Sequence, residues 1–345
     1  LSAAIAVVVV THDSAGELDD LLAGLDRALG EEDEIIFVDS ASRDRTLARI
    51  RERMPEARVI EQPGNLGFAS ACRAGAQASG APLLLFLNPD VRLDRDAFTR
   101  LRAIAASQPA WAAWQPAIML PDGRINTSGG VVHFIGLGWA GQCGEPASAL
   151  PDHPHEVAFA SGAALVIRRE AWEAVGGFED SYFLYGEDLD LGLRLWLAGY
   201  RVGIEPRARV THHYDFDKGT RKWYLLERNR WSTLLADYPP ALLFALAPAL
   251  AVSELALLAV AARDRWLGAK LCANLAVLRS LPRLLVRRRR VQSLRTIRAA
   301  TFAERLSSSL ENPYLRQPPG LLVALQTAYF ALVRLLLRAS VSRPC

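Results

Sequence analysis

LLLFLNPDV, residues 83–91, is a run of five apolar residues that stops on Asn88, Pro89 and Asp90. A short apolar run bounded by turn formers is how a strand buried on both faces reads, the kind found in parallel sheets. Pro89 has no N–H to give to a ladder, so it ends the strand. Asp90 is then presented just past the strand's carboxyl end. In open parallel sheets that is the edge where ligands collect. The stretch therefore predicts an α/β fold and a polar site at one edge of its sheet.

The sequence on its N-terminal side has the same grammar. IAVVVVTHDS (5–14), DEIIFVDSAS (33–42) and ARVIEQP (57–63) read as three more strands. SAGELDDLLAGLDRAL (14–29), SRDRTLARIRERM (42–54) and GNLGFASACRAGAQAS (64–79) read as the helices between them. Leu18, Leu21, Leu22, Leu25 and Leu29 mark the apolar face of the first. Ser42 and Asp44 are candidate caps for the second. Regular alternation of strand and helix predicts a mostly parallel sheet with right-handed crossovers. The strand ends carry Thr11-His12-Asp13, Asp39-Ser40 and Asn88-Pro89-Asp90. A single strand-end aspartate is usually a turn former, but Asp39 and Asp90 on one sheet would face one crevice. No G-x-G-x-x-G follows the first strand and no G-x-x-x-x-G-K-[ST] occurs, so nicotinamide and P-loop readings lack their phosphate cradles.

Further along, WAAWQPAIMLPDGRINTSGG (111–130) reads as strands with a hairpin turn at Asp122-Gly123, and 136–156 as a loop. In LYGEDLDLGLRLW (184–196), Glu187, Asp188 and Asp190 crowd the start of a helix. Acids there complement the macrodipole, and Asp190 is placed to pair with Arg194 on the helix surface. Asp188, at a loop-to-helix junction near Tyr182, Phe183 and Tyr185, is a candidate general base. In VTHHYDF (210–216), two histidines precede Asp215, a set that suits Mn2+ or Mg2+ carrying phosphate oxygens. Adjacent strand residues face opposite ways, so at most one of His212 and His213 would reach a given metal. In LLERNRW (225–231), Arg228 and Arg230 are candidates to clamp a diphosphate, against a solvated helix face.

From Pro240 the composition changes. Residues 241–262 are apolar except for Ser253 and Glu254 and carry Pro248, and 321–337 form a second apolar segment. The length fits a bilayer span, and the Pro and Glu fit a kinked or interfacial helix. Arg287 to Arg290 lie between the two segments, a polybasic run of the type drawn to anionic lipid and kept cytoplasmic. The rival is a pair of core helices with a solvated basic face. The division expected is a catalytic domain over 1–238 and a helical membrane-associating or oligomerising region over 239–345. The whole chain has 345 residues, 51% hydrophobic, and a net charge of +3. That charge makes no strong statement about partners, and no nucleic acid is expected. Cys72, Cys143, Cys272 and Cys345 have no zinc spacing and suggest a reducing compartment. The apolar start lacks a basic n-region and reads as a strand, not as a secretory signal.

VVVVTHDS, IIFVDSASRDRT, NLGFASACRAG, LLFLNPDV, ASGAALVIRREAWEAVGGF, GEDLDLGLRLWLAGY and VTHHYDF, in this order over roughly residues 5 to 235, resemble the inverting nucleotide-sugar glycosyltransferases of family 2. The branch most similar is the rhamnosyltransferase-like one of bacterial cell envelopes. The resemblance implies a GT-A fold, Rossmann-like, with helices flanking a mostly parallel sheet and the apolar and basic helices appended. It implies that Thr11 and Asp13 line the nucleotide pocket, Asp39 bonds the base, and Asn65 and Gly67 pack under the nucleotide or ribose. Asp90 stands as the last acid of the family's D-x-D, with Asn88 in place of the first, so that metal binding falls on Asp90 and a histidine. His212 fits the family's V-x-H pattern. Asp188 stands as catalytic base of the E-D pair. The implied donor is a dTDP- or UDP-sugar, the cofactor Mn2+ or Mg2+, and the acceptor a lipid-linked glycan. The implied place is the cytoplasmic face of the inner membrane, peripheral or monotopic, and a homo-oligomer is compatible. The rivals are an inactive nucleotide-sugar-binding or scaffold member of the same fold and a nucleotidyltransferase. The second needs a glycine-rich loop with an arginine after the first strand, and THDSAGEL lacks one.

Overall fold

The structure, a computed structural model, describes residues 3–213, 219–310 and 320–339. In chain order the elements begin β1 (Ile5–Thr11), α1 (Leu18–Ala28), β2 (Glu34–Asp39), α2 (Thr46–Arg53), β3 (Arg58–Glu61) and α3 (Phe68–Gln77). Next come β4 (Leu83–Leu87), β5 (Val91–Leu93), α4 (Ala97–Ser107), β6 (Trp111–Met119) and β7 (Ile125–Thr127). β8 (Gly130–Val132), β9 (Gly138–Ala140), β10 (His155–Glu156), β11 (Ala164–Arg168) and α5 (Arg169–Val175) follow. The chain continues with α6 (Glu187–Leu197), β12 (Arg201–His212), α7 (Gly219–Asp237) and α8 (Pro240–Arg263). It closes with α9 (Leu267–Ser293), α10 (Ala299–Ala303) and α11 (Gly320–Ala339). Two compact units result. One is drawn from residues 1–130, 140–195 and 200–215, the other from 131–139, 196–199 and 216–345.

The first unit is built on a ten-stranded sheet whose main path runs β10-β12-β6-β11-β4-β1-β2-β3. β3, β2, β1 and β4 are mutually parallel, as the strand–helix alternation predicts. β11 then enters antiparallel to both β4 and β6, and β6 runs parallel to β12. Every residue of β4 is buried, which is why LLLFL carries no polar side chain. Leu18, Leu21, Leu22 and Leu25 of α1 pack with β1, β2 and β4 side chains into one core. The 136–156 segment, expected as loop, contains β9 and β10, and β10 extends the sheet by pairing with β12. Ser42 does not cap α2. It binds Asp39, and Asp44 accepts the Thr46 N–H at 2.9 Å instead.

In the second unit α7 groups with the C-terminal helices. Ion pairs and an aromatic stack join it to them. Glu227 of α7 accepts from Lys270 of α9 at 2.6 Å, and Arg230 of α7 donates to Glu254 of α8 at 2.7 Å. Trp223 stacks on Trp266 with centroids 4.9 Å apart. The run Arg287 to Arg290 is not a uniform surface patch. Arg287 is buried and pairs with Asp237 at 3.4 Å. Arg288 donates to the carbonyls of Leu235 and Tyr238, satisfying the C-terminal end of α7. Among the described residues α8 and α11 are the two helices long and apolar enough to cross a membrane.

Candidate active site

The carboxyl ends of β1 and β2 meet first. Thr11 donates its hydroxyl to Asp39 Oδ1 at 2.9 Å, and the Ser42 N–H reaches Asp39 Oδ2 at 2.9 Å. The Ser42 hydroxyl also binds Asp39. With three donors on a carboxylate that has about four acceptor positions, buried Asp39 keeps one for a further partner. Asp13, beside it, is exposed with φ of 50°, and its Oδ1 accepts the Arg43 N–H at 2.6 Å. Thr11, Asp13 and Asp39 thus form one constellation, with Ser42 as a member the sequence reading had assigned elsewhere.

A second cluster forms past β4. β5 is only three residues long and pairs antiparallel with the end of β12, with Val91 opposite His212. That register carries the histidine to Asp90. His212 Nε2 lies 3.1 Å from Asp90 Oδ1 and 3.3 Å from Asn88 Nδ2. His213 is exposed, and its N–H donates to the Asp90 carbonyl at 3.2 Å. Asp215 lies outside the described residues.

This cluster fits a divalent cation. Asp90 Oδ1 is buried and has no hydrogen-bond partner among the described residues, although Nε2 is within contact distance. Asp90 and His212 offer a carboxylate oxygen and an imidazole nitrogen, a donor pair that suits a divalent cation. Among the described residues no cluster of three or more His, Cys, Asp or Glu converges on such a point. A cation here would draw the rest of its shell from substrate oxygens and water, as Mg2+ does at phosphate sites.

Asp188 opens α6. Its Oδ2 accepts the Gly162 N–H at 3.1 Å and its Oδ1 the Leu189 N–H at 2.8 Å. Half-buried, it has its pKa raised by lost solvation, with these two N–H groups pulling the other way. Gly162 is followed by Ala163, whose carbonyl accepts the Asn88 N–H at 3.0 Å. Asp188 and the Asn88-Pro89-Asp90 turn are therefore tied to the same two-residue segment. No sequence signal marks Gly162 as a carboxylate holder, because its contribution is a backbone N–H.

Asn65 is exposed, and its Oδ1 accepts the Gly67 N–H at 3.1 Å. Gly67 has φ of 91°, and a Cβ there would sit 2.5 Å from the Phe183 carbonyl oxygen. The position admits only glycine, since both the backbone conformation and the space exclude a side chain. The facing turn is itself unusual, with φ of 64° at Phe183 and 67° at Tyr185. Asn65 and Gly67 thus form a close-packed turn against the loop that leads into Asp188.

Glu187 is buried, and its Oε2 lacks a hydrogen-bond partner among the described residues. Lost solvation, then the charges of Asp188 and Asp190, push its pKa from the ordinary 4.5 up to about 8. An acid that holds its proton more tightly when folded costs stability as pH rises from the unfolded pKa towards the folded one. Glu187→Gln is expected to flatten that loss, worth up to about 1.4 kcal/mol per pH unit within the window. Urea denaturation of both proteins at the two ends of the window measures it, and an equal pH slope in the two refutes it. Asp190 and Arg194 do pair, at 2.6 Å, but in the interior: Arg194 also donates to the Val175 and Gly177 carbonyls.

Arg228 and Arg230 lie in the second unit. Arg228 donates to Asn229 Oδ1 at 3.0 Å and lies over the Tyr224 ring. Arg230 is buried, with its three guanidinium nitrogens turned to Glu227, Glu254 and the Ile135 carbonyl. Its fork is thus engaged by two acids and a carbonyl, an internal electrostatic task.

Two family models match this chain: "Glycosyl transferase family 2" over residues 6–126 and "Glycosyl transferase family group 2" over residues 83–301. The N-acetylglucosaminyl-diphospho-decaprenol L-rhamnosyltransferase of Mycobacterium tuberculosis (strain CDC 1551 / Oshkosh) is 31% identical over 236 residues, 62% of this chain and 77% of that protein. The O-antigen biosynthesis protein RfbC of Myxococcus xanthus is 32% identical over 177 residues, 48% of this chain but 13% of that protein. The crystal structure of GalNAc-T7 with UDP, GalNAc and Mn2+ has a TM-score of 0.58 at 16% identity. That likeness covers 69% of this chain and about half, 48%, of the other, and is one of fold.

Proposed function

Because this chain belongs to glycosyl transferase family 2, we propose that it transfers a sugar, with inversion, from a nucleoside-diphosphate donor to a hydroxyl of a lipid-linked glycan in bacterial cell-surface polysaccharide synthesis. The enzyme is a glycosyltransferase of the GT-A type. The observation that carries the finer reading is the shared tether. Asp188 and the Asn88-Pro89-Asp90 turn are both bonded to Gly162-Ala163, so a base and a diphosphate site stand on either side of one short segment. The similarity to an N-acetylglucosaminyl-diphospho-decaprenol L-rhamnosyltransferase supports a lipid-linked acceptor and a rhamnosyl group as the sugar. A dTDP- or UDP-linked rhamnosyl donor is the first to test.

Asp188 takes the proton of the acceptor hydroxyl as its oxygen attacks the anomeric carbon from the face opposite the leaving group. The new glycosidic bond forms as the bond from the anomeric carbon to the diphosphate breaks, and the nucleoside diphosphate leaves. The N–H groups of Gly162 and Leu189 fix both carboxylate oxygens, and partial burial keeps the group basic. Asp90 and His212 would hold Mn2+ or Mg2+, which when bound supplies Lewis-acid neutralisation of the departing diphosphate. Thr11, Asp13 and Asp39 receive the nucleoside, Asn65 and Gly67 pack beneath it, and Asn88 offers its amide to the donor. The first unit is the catalytic part. The second holds the enzyme to the cytoplasmic face of the membrane.

A panel of nucleotide sugars assayed with Mn2+ tests the donor class. Asp90→Ala is expected to raise the Mn2+ concentration for half-maximal turnover by more than about tenfold, the scale already produced by losses in a metal's outer shell. Unchanged metal dependence removes Asp90 from the site. A wild-type protein that binds nucleotide sugars but neither hydrolyses nor transfers them sinks the catalytic reading.

A further inference from the structure

α9 has an inner and an outward face, and the sheet-edge chemistry uses neither. Its inner face, with Lys270, Ala273, Val277, Leu284, Arg287 and Val291, is buried. The Trp223–Trp266 stack, the Glu227–Lys270 pair and the Asp237–Arg287 pair hold it along α7. The outward face shows Leu271 at 53% exposure, Leu275 at 44%, Leu278 at 62%, Leu285 at 55% and Val286 at 67%. Positions 271, 275, 278 and 285 follow at intervals of four, three and seven, which is one stripe of a helix. Exposed Arg279, Arg283 and Arg290 recur at four and seven residues along one flank of it, and exposed Arg289, four residues after Leu285, ends the stripe itself. From residue 265 to residue 303 the sequence has no Asp or Glu.

We infer that the outward face of α9 lies in the plane of a bilayer surface rich in anionic lipid, with its leucines among the acyl chains and its arginine row on the headgroups. An apolar stripe bordered by arginine is the pattern of an in-plane helix. The charge selects the occupant. A second copy pressed on this stripe would set arginine row against arginine row, with no acid in the segment to relieve it. A spanning helix would carry Arg279 and Arg283 through hydrocarbon, where cations are costly. The two arginines that the structure turns inward, Arg287 and Arg288, take no part. This surface deepens the proposed attachment of the second unit to the membrane and does not rest on the catalytic roles given to the first.

The test is flotation of the full chain with vesicles of phosphatidylcholine, with and without phosphatidylglycerol. The protein is expected to float with the anionic vesicles and to be released by salt. Arg279→Gln with Arg283→Gln is expected to weaken that binding about thirtyfold, roughly fivefold for each charge withdrawn from the lipid surface. Leu275→Ser with Leu278→Ser is expected to abolish it. Both variants change exposed side chains, and both are expected to keep wild-type donor hydrolysis without vesicles. Binding unchanged in either variant overturns the inference. So does flotation that ignores anionic lipid, or a leucine variant that turns a dimer into a monomer by light scattering. Loss of donor turnover in the wild type, with flotation intact, would sink the catalytic reading and leave this one standing.

Discussion

Asp188→Asn is expected to lower transfer by about a hundred- to ten-thousand-fold, the range of a positioned general base, while nucleotide-sugar affinity stays near wild type. Asparagine keeps the shape of the side chain, and its oxygen can still accept the Gly162 N–H. It cannot take a proton. The pH profile gives a second readout. Burial raises the Asp188 pKa, so the wild-type rate should decline as acidification protonates the carboxylate. The variant's residual rate should lack that acid limb. Single-turnover kinetics with a saturating donor, beside calorimetric donor binding, separates the two effects. A variant that keeps most of its rate, or that loses donor binding in proportion, returns Asp188 to the role of a helix-opening acid.

The second large effect is on stability. Arg230→Met is expected to destabilise the protein by about 3–5 kcal/mol, the cost of leaving buried charge uncompensated. Arg230 and Lys270 together face Glu227 and Glu254, with Asn274 donating to Glu254 at 2.9 Å. Without the guanidinium, two carboxylates share one ammonium. Replacing Arg230 and Glu227 together by apolar residues leaves the Lys270–Glu254 pair intact and should recover most of the loss. A diphosphate clamp predicts the reverse, a raised donor KM with unchanged stability. Denaturant titration of the three proteins decides between them.

What could be read from the sequence was local. β1, β2 and β4 announce themselves as apolar runs with polar ends, and Asp39, Asp90 and Asp188 each sit where a run or a loop stops. Partners set by strand order were out of reach. Nothing in ALVIR indicates that β11 inserts antiparallel between β4 and β6, yet that insertion sets Gly162 beside Asp188. The surroundings of Arg230 were hidden for the same reason. E-R-N-R looks like an exposed basic turn of helix until Glu254 and Lys270 arrive from 24 and 43 residues downstream of their α7 partners. Arg287 and Arg288 counted as surface charge because the sequence cannot say which side of α9 meets the end of α7. Asp190 and Arg194 were paired correctly at four residues' spacing, but their interior setting rests on the carbonyls of Val175, which ends α5, and Gly177.

The reversed direction of β11 has a chemical consequence of its own. A strand antiparallel to β4 begins at the edge where β4 ends, so the turn that feeds β11 lies beside the Asn88-Pro89-Asp90 turn. From that one turn the Ala163 carbonyl accepts the Asn88 N–H and the Gly162 N–H binds Asp188. Reversing one strand thus lets a single entry turn brace both the strand-end turn and the anionic base.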